Sequence, residues 1–169
     1  LIEVDPSKEY ESFPLTEIQH AYLVSRGDSS SQATVGTTYC QIFAVDEIDL
    51  DRLDAAWGKV QKRHGMMRAS VEEDGTQSIA PSSKIGHIER AECANSSEAK
   101  QRLEEIKRTV FALAKPPLHR VVSISWHEES GKQTRLVFCF DYTVLDALSV
   151  MTVLAELAEL YENPGADLP

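Results

Sequence analysis

The alternation of apolar and polar positions predicts elements in the order helix, strand, helix, hairpin, helix, hairpin, helix. Residues 1–12 are polar and read as a lead-in. Thr16 and Gln19 stand at capping-box spacing and open a short helix that Gly27 closes, and 28–36, rich in Ser and Asp, reads as a loop. Tyr39 to Val45 is apolar and β-prone. Asp49 or Asp51 caps the next helix, which places Leu50, Leu53, Trp57 and Val60 on one face and ends at Gly65. Met67–Glu73 and Thr76–Ala80 flank Asp74-Gly75 as a hairpin. Leu103, Ile106, Val110 and Leu113 keep helical spacing from about Ser97 until Lys115-Pro116-Pro117. His119–Trp126 and Thr134–Phe140 form a second hairpin through Gly131. The run Leu136 to Phe140 is apolar throughout, as in a strand buried on both faces. A last helix runs from Asp146 to Tyr161 and ends at Asn163-Pro164-Gly165. Mixed strands with helices packed on the sheet define an α/β class, an α+β two-layer sandwich.

Composition narrows this little. At 169 residues, 42% apolar and 26% charged, the chain suits one folded domain. A net charge of −10 offers no basic surface for nucleic acid. No apolar run nears the roughly 18 residues of a membrane span, and no signal peptide is visible. The start at Leu1, without Met, fits a segment of a longer polypeptide. Cys40, Cys93 and Cys139 lack metal-ligand spacing, and Cys40 and Cys139 lie in apolar runs where free cysteine packs as a small core residue. Reduced thiols suggest the cytoplasm. No phosphate-binding glycine loop, CxxC pair or HExxH occurs, so nucleotide and zinc chemistry find no support and no metal is expected.

The junction between the apolar strand and the last helix is the best place for chemistry. Asp141 follows Phe140, and Asp146 precedes Ala147. Two carboxylates at a rigidly held strand end can converge, and burial or mutual repulsion would raise the pKa of one. The alternative is that Asp146, with Ser149 behind it, is a helix cap and Asp141 a turn residue. His64, beside Arg63 at a helix end, reads as structural, and Trp57 as core.

Three ordered motifs resemble the heterocyclization domains of nonribosomal peptide synthetases, within the condensation-domain superfamily. They are Phe13-Pro14-Leu15-Thr16-Glu17-Ile18-Gln19, Arg63-His64-Gly65-Met66-Met67-Arg68, and Asp141-Tyr142-Thr143-Val144-Leu145-Asp146 with Ser149. Ser25-Arg26 stands where the family usually has Gly-Arg, and Trp57, Asp74-Gly75 and Gln77 follow the second block. Tyr142 occupies the place of the second histidine of ordinary condensation domains. Thr38 and Cys40 stand where many members have His and Tyr.

The resemblance implies one lobe of a two-lobed, chloramphenicol-acetyltransferase-like domain. Residues 13–163 would be the N-terminal lobe, and 164–169 the start of a linker to a C-terminal lobe. It implies condensation of a carrier-bound acyl group with carrier-bound Cys, Ser or Thr, and cyclodehydration to a thiazoline or oxazoline. The partners would be upstream and downstream peptidyl carrier domains, whose phosphopantetheine arms hold the substrates. Asp141 and Asp146 would be the catalytic pair, with Arg63, Arg68 and Ser149 shaping the site and Arg63 pairing with Asp141. The segment alone, lacking the second lobe's groups, is expected to be inactive. The competing implication is a non-catalytic condensation-like module that docks carriers or recruits a tailoring enzyme.

Overall fold

A computed structural model describes residues 5–27 and 37–168. The predicted loop 28–36 lies outside them. In chain order the elements are β1 (Phe13–Pro14), α1 (Glu17–Gly27), β2 (Thr38–Val45), α2 (Leu50–Arg63), β3 (Ala69–Val71), β4 (Thr76–Ile79), β5 (Glu89–Glu92), α3 (Ser96–Lys107), β6 (His119–Glu128), β7 (Gly131–Asp141) and α4 (Ala147–Glu162). A larger mixed sheet runs β2-β7-β6-β5, and a smaller one β1-β4-β3.

The long β6–β7 hairpin is the spine. β7 pairs antiparallel with β6 and β2, while β5 joins β6 in parallel. Strand side chains alternate between faces, so one set of residues meets each helical layer. Val121, Leu136, Phe138 and Phe140 pack with Trp57 of α2 and Val150, Val153 and Leu157 of α4. Val122, Ile124, Val137 and Cys139 pack with Ala99 and Ile106 of α3. The α/β class with helices on a mixed sheet is therefore the observed fold, and β7 is buried on both faces as predicted. Trp57, 1% exposed, anchors the first cluster and meets His119 edge-on at 5.1 Å.

Local chemistry explains the element ends. Thr16 and Gln19 close the capping box, with the Gln19 side chain accepting from Thr16 N–H at 2.9 Å. Asp49 caps α2 by accepting from the N–H groups of Asp51 and Arg52. Gly75 turns the β3–β4 hairpin at φ +84°, where a side chain would be strained.

Three expectations change. The helix predicted to reach Leu113 stops at Lys107, and Val110 is exposed. The segment after it instead runs beside β3, where the Leu113 carbonyl accepts from Val71 N–H at 2.9 Å. The predicted hairpin arm beginning at Met67 loses its first residues to a 3-10 turn, Gly65–Arg68. That turn aims Arg68 back at the open carbonyls of α2. Finally, Cys40 and Cys139 are not free thiols but a disulfide, with Cα atoms 4.2 Å apart. Spacing along the chain hid this, because the partners are 99 positions apart and only the β2–β7 register sets them opposite each other. Cys93 remains free.

Candidate functional site

The loop from Asp141 to Asp146 joins β7 to α4 and holds two carboxylates in opposite states. Asp141 has no exposed surface. Its Oδ2 is ion-paired with Arg26, and its Oδ1 accepts from the Thr37 hydroxyl at 2.8 Å and Thr143 N–H at 2.9 Å. Arg26 also donates to the Thr37 hydroxyl and to the Phe111 carbonyl. Asp141 thus binds α1, the entry to β2 and its own loop into one network.

This corrects the expected ion pair. The cation beside Asp141 is Arg26, from the first motif. Arg63 lies with its Nε 3.3 Å from Glu156 of α4. Arg68, 2% exposed, donates to the carbonyls of Gln61, Lys62 and Ala80. It caps the C-terminus of α2 and the edge of β4. The planar guanidinium suits such a fan of acceptors better than an ammonium would. Arg26 carries the basic half of the Ser25-Arg26 signature, so its motif was legible although its partner was not.

Asp146 is exposed and caps α4, its Oδ1 accepting from Ser149 N–H at 2.8 Å. That bond holds the Asp146 carboxyl below the usual carboxylate range. The expected convergence of the two carboxylates is not what the site contains, because Asp141 is buried against Arg26 while Asp146 faces solvent. Ser149 contributes its backbone N–H to this cap.

The loop between them is held from both sides. The Gln19 side chain donates to the Thr143 carbonyl at 2.8 Å and to Gln77, whose own amide reaches the Pro14 carbonyl. Tyr142 N–H donates to the Thr37 carbonyl, and its ring stacks on Tyr39 at 5.6 Å. Burial and the neighbouring Tyr39 and Tyr22 phenols push the Tyr142 hydroxyl up, so it stays protonated at neutral pH.

A cavity of about 410 Å³ opens beside this loop, between the end of α2 and the start of α4. It is lined by Arg63, His64, Met66, Leu145, Ser149 and Thr152, among others. Among the described residues, no group of His, Cys, Asp or Glu is placed to hold a metal, and no helix is long and apolar enough to cross a membrane.

The fold and the order of the motifs point to the condensation domains. Residues 9–168 match the Condensation domain family, and the chain belongs to it. It is 33% identical to phenyloxazoline synthase MbtB of Mycolicibacterium paratuberculosis in an alignment of 174 positions that covers 98% of this chain and 14% of that one. It is 30% identical to bacitracin synthase 1 of Bacillus licheniformis over 98% of this chain and 3% of that one. Among solved structures, the EpoB NRPS cyclization-docking bidomain of Sorangium cellulosum superposes with a TM-score of 0.87 at 29% identity. The match covers 99% of this chain and 34% of the bidomain. The chain therefore spans a small part of its relatives.

Proposed function

We propose that residues 13–163 are the N-terminal lobe of a heterocyclization domain in a nonribosomal peptide synthetase, continued by a C-terminal lobe beyond 164–169. The domain joins an acyl group on an upstream carrier to the amine of a Cys, Ser or Thr on a downstream carrier. The thiol or hydroxyl then attacks the new amide, and loss of water gives a thiazoline or oxazoline. Both substrates ride on phosphopantetheine arms of the carriers, so the domain needs no cofactor of its own.

The observation that carries this reading is the Asp141–Asp146 loop. It is clamped at Asp141 by Arg26, presents Asp146 to solvent, and has Tyr142 where ordinary condensation domains have histidine. The likeness to phenyloxazoline synthase and to a cyclization bidomain supports the same choice. In this reading Asp141 is architectural, and Asp146 supplies negative charge where the incoming amine must be held.

The test is the synthetase bearing this segment, with both carriers loaded and open amide and heterocycle quantified separately by mass spectrometry. The wild type is expected to form both. Asp146→Asn keeps the cap, because Asn caps as well as Asp, but removes the charge. It is expected to cut heterocycle at least about tenfold with unchanged thermal unfolding. Open amide alone from the wild type would mark an ordinary condensation domain. Undiminished heterocycle from a normally folded Asp146→Asn variant would make Asp146 only a cap.

A further inference from the structure

Both aspartates already serve structural partners. Asp141 has no exposed surface and its oxygens are filled by Arg26, Thr37 and Thr143. Asp146 is committed to the first turn of α4. Amide formation from an amine nevertheless releases a proton, and the side chain that ordinarily changes charge between about pH 5 and 8 is histidine. One histidine lines the cavity beside the loop.

His64 is the residue after α2, and its Nε2 lies 2.5 Å from Glu156 Oε2. Glu156 is 14% exposed, and its other oxygen meets Arg63 Nε at 3.3 Å. The carboxylate is thus held between Arg63, the last residue of α2, and His64 just after it, and fixes the plane of the imidazole, leaving Nδ1 as its second nitrogen. The backbone here has little freedom. A Cβ at Gly65 would stand 2.9 Å from Ile79 Cδ1, so the chain runs tight against β4 directly after His64. Around the cavity, α2 contributes Arg63, α4 contributes the neutral hydroxyls of Ser149 and Thr152, and the turn and loop contribute apolar Met66 and Leu145, while Glu156 of α4 stands behind His64 as its partner. A histidine oriented by a carboxylate and reaching a cavity next to a functional loop has the arrangement of a general base with its orienting partner.

We propose that His64, oriented by Glu156, is the proton-transferring residue of this site. The inference rests on the condensation step proposed above. The amine nitrogen on the downstream carrier attacks the acyl carbon of the upstream thioester. A C–N bond forms and the C–S bond breaks. His64 takes the proton that the nitrogen must lose and delivers it to the departing thiolate, so thioester and amine become amide and thiol with no net change at His64. Arg63 and Glu156 are positioning residues.

The experiment uses the synthetase bearing this segment with both carriers loaded, in single turnover across pH 5.5–9. His64→Gln is expected to slow amide formation about 10²-fold or more and to abolish the acid limb of the pH–rate profile. Added imidazole is expected to restore part of the rate to His64→Ala. Glu156→Gln is expected to slow the reaction less and to shift the acid limb rather than remove it. Thermal unfolding of each variant accompanies the rates, because the His64–Glu156 contact also ties α2 to α4. A wild-type rate and profile in His64→Gln would overturn the role. So would a loss that tracks a lowered unfolding temperature, with the acid limb intact and no response to imidazole. If the wild-type synthetase forms no amide at all, the reaction itself falls, and the role with it.

Discussion

Asp141 and Asp146 share one loop and one side-chain chemistry, yet the fold treats them differently. At Asp141 the chain withdraws a carboxylate from water and surrounds it with a guanidinium, a hydroxyl and a backbone N–H drawn from three segments. At Asp146 it leaves the carboxylate in water and asks of it one local bond, to Ser149. A buried ion is tolerable only when its lone pairs are filled, so Asp141 depends on distant parts of the chain being in place. An exposed cap depends on the next turn of helix alone. The same residue type therefore reports tertiary assembly at one end of the loop and local geometry at the other.

The largest test of that contrast is Asp141→Asn. It strands Arg26, whose side chain is 12% exposed, without its counter-charge. Breaking such a pair costs about 3–5 kcal/mol, and the unfolding midpoint is expected to fall by roughly 10 °C. Arg26→Met combined with Asp141→Asn should lose less than the two single effects added together. Additive losses would mean that the pair is not coupled.

His119 sharpens the comparison, because it is buried with an Nε2 that has no partner among the described residues. Burial lowers its pKa to about 4, well below the 6.5 of an open histidine. Between those values the unfolded chain binds the proton and the folded chain does not. Stability is thus complete above about pH 6.5 and is lost as pH falls toward 4, by about 3 kcal/mol over the window. Urea midpoints against pH would show the slope, and His119→Phe should flatten it. An unchanged slope in that variant would assign it to other groups.

The smallest effect belongs to Asp146. Asp146→Asn should leave the unfolding midpoint nearly unmoved, and Asp146→Ala should lower it by about 2–4 °C. A drop as large as that of Asp141→Asn would erase the distinction between the two carboxylates.

Features governed by neighbours in the chain were legible in the sequence. The Thr16–Gln19 box, the cap and core face of α2, the doubly buried β7 and the extent of α4 follow from spacing and end chemistry alone. What escaped depends on partners distant in sequence. β5 is a polar strand at a sheet edge, with no alternating pattern to mark it. Val110 and Leu113 keep a helical rhythm without being helical, and the Leu113 carbonyl is taken by Val71 N–H of β3 instead of a helical turn. Arg26 stood in a recognised motif, but nothing local distinguished it from Arg63 or Arg68 as the partner of Asp141. Glu156 sits among the apolar positions of α4 and acquires meaning only across from His64.

The Cys40–Cys139 bond has a topological consequence. It closes a covalent ring that contains α2, α3 and the strands β3 to β6, with α1 and α4 as tails outside it. A single protease cut within the ring, for instance at the exposed turn around Asp74, opens the ring without dividing the molecule. Such a nicked chain should migrate as one species on a denaturing gel without reductant and separate into two when the disulfide is reduced. The same cut in a Cys40→Ser variant should yield two bands under both conditions.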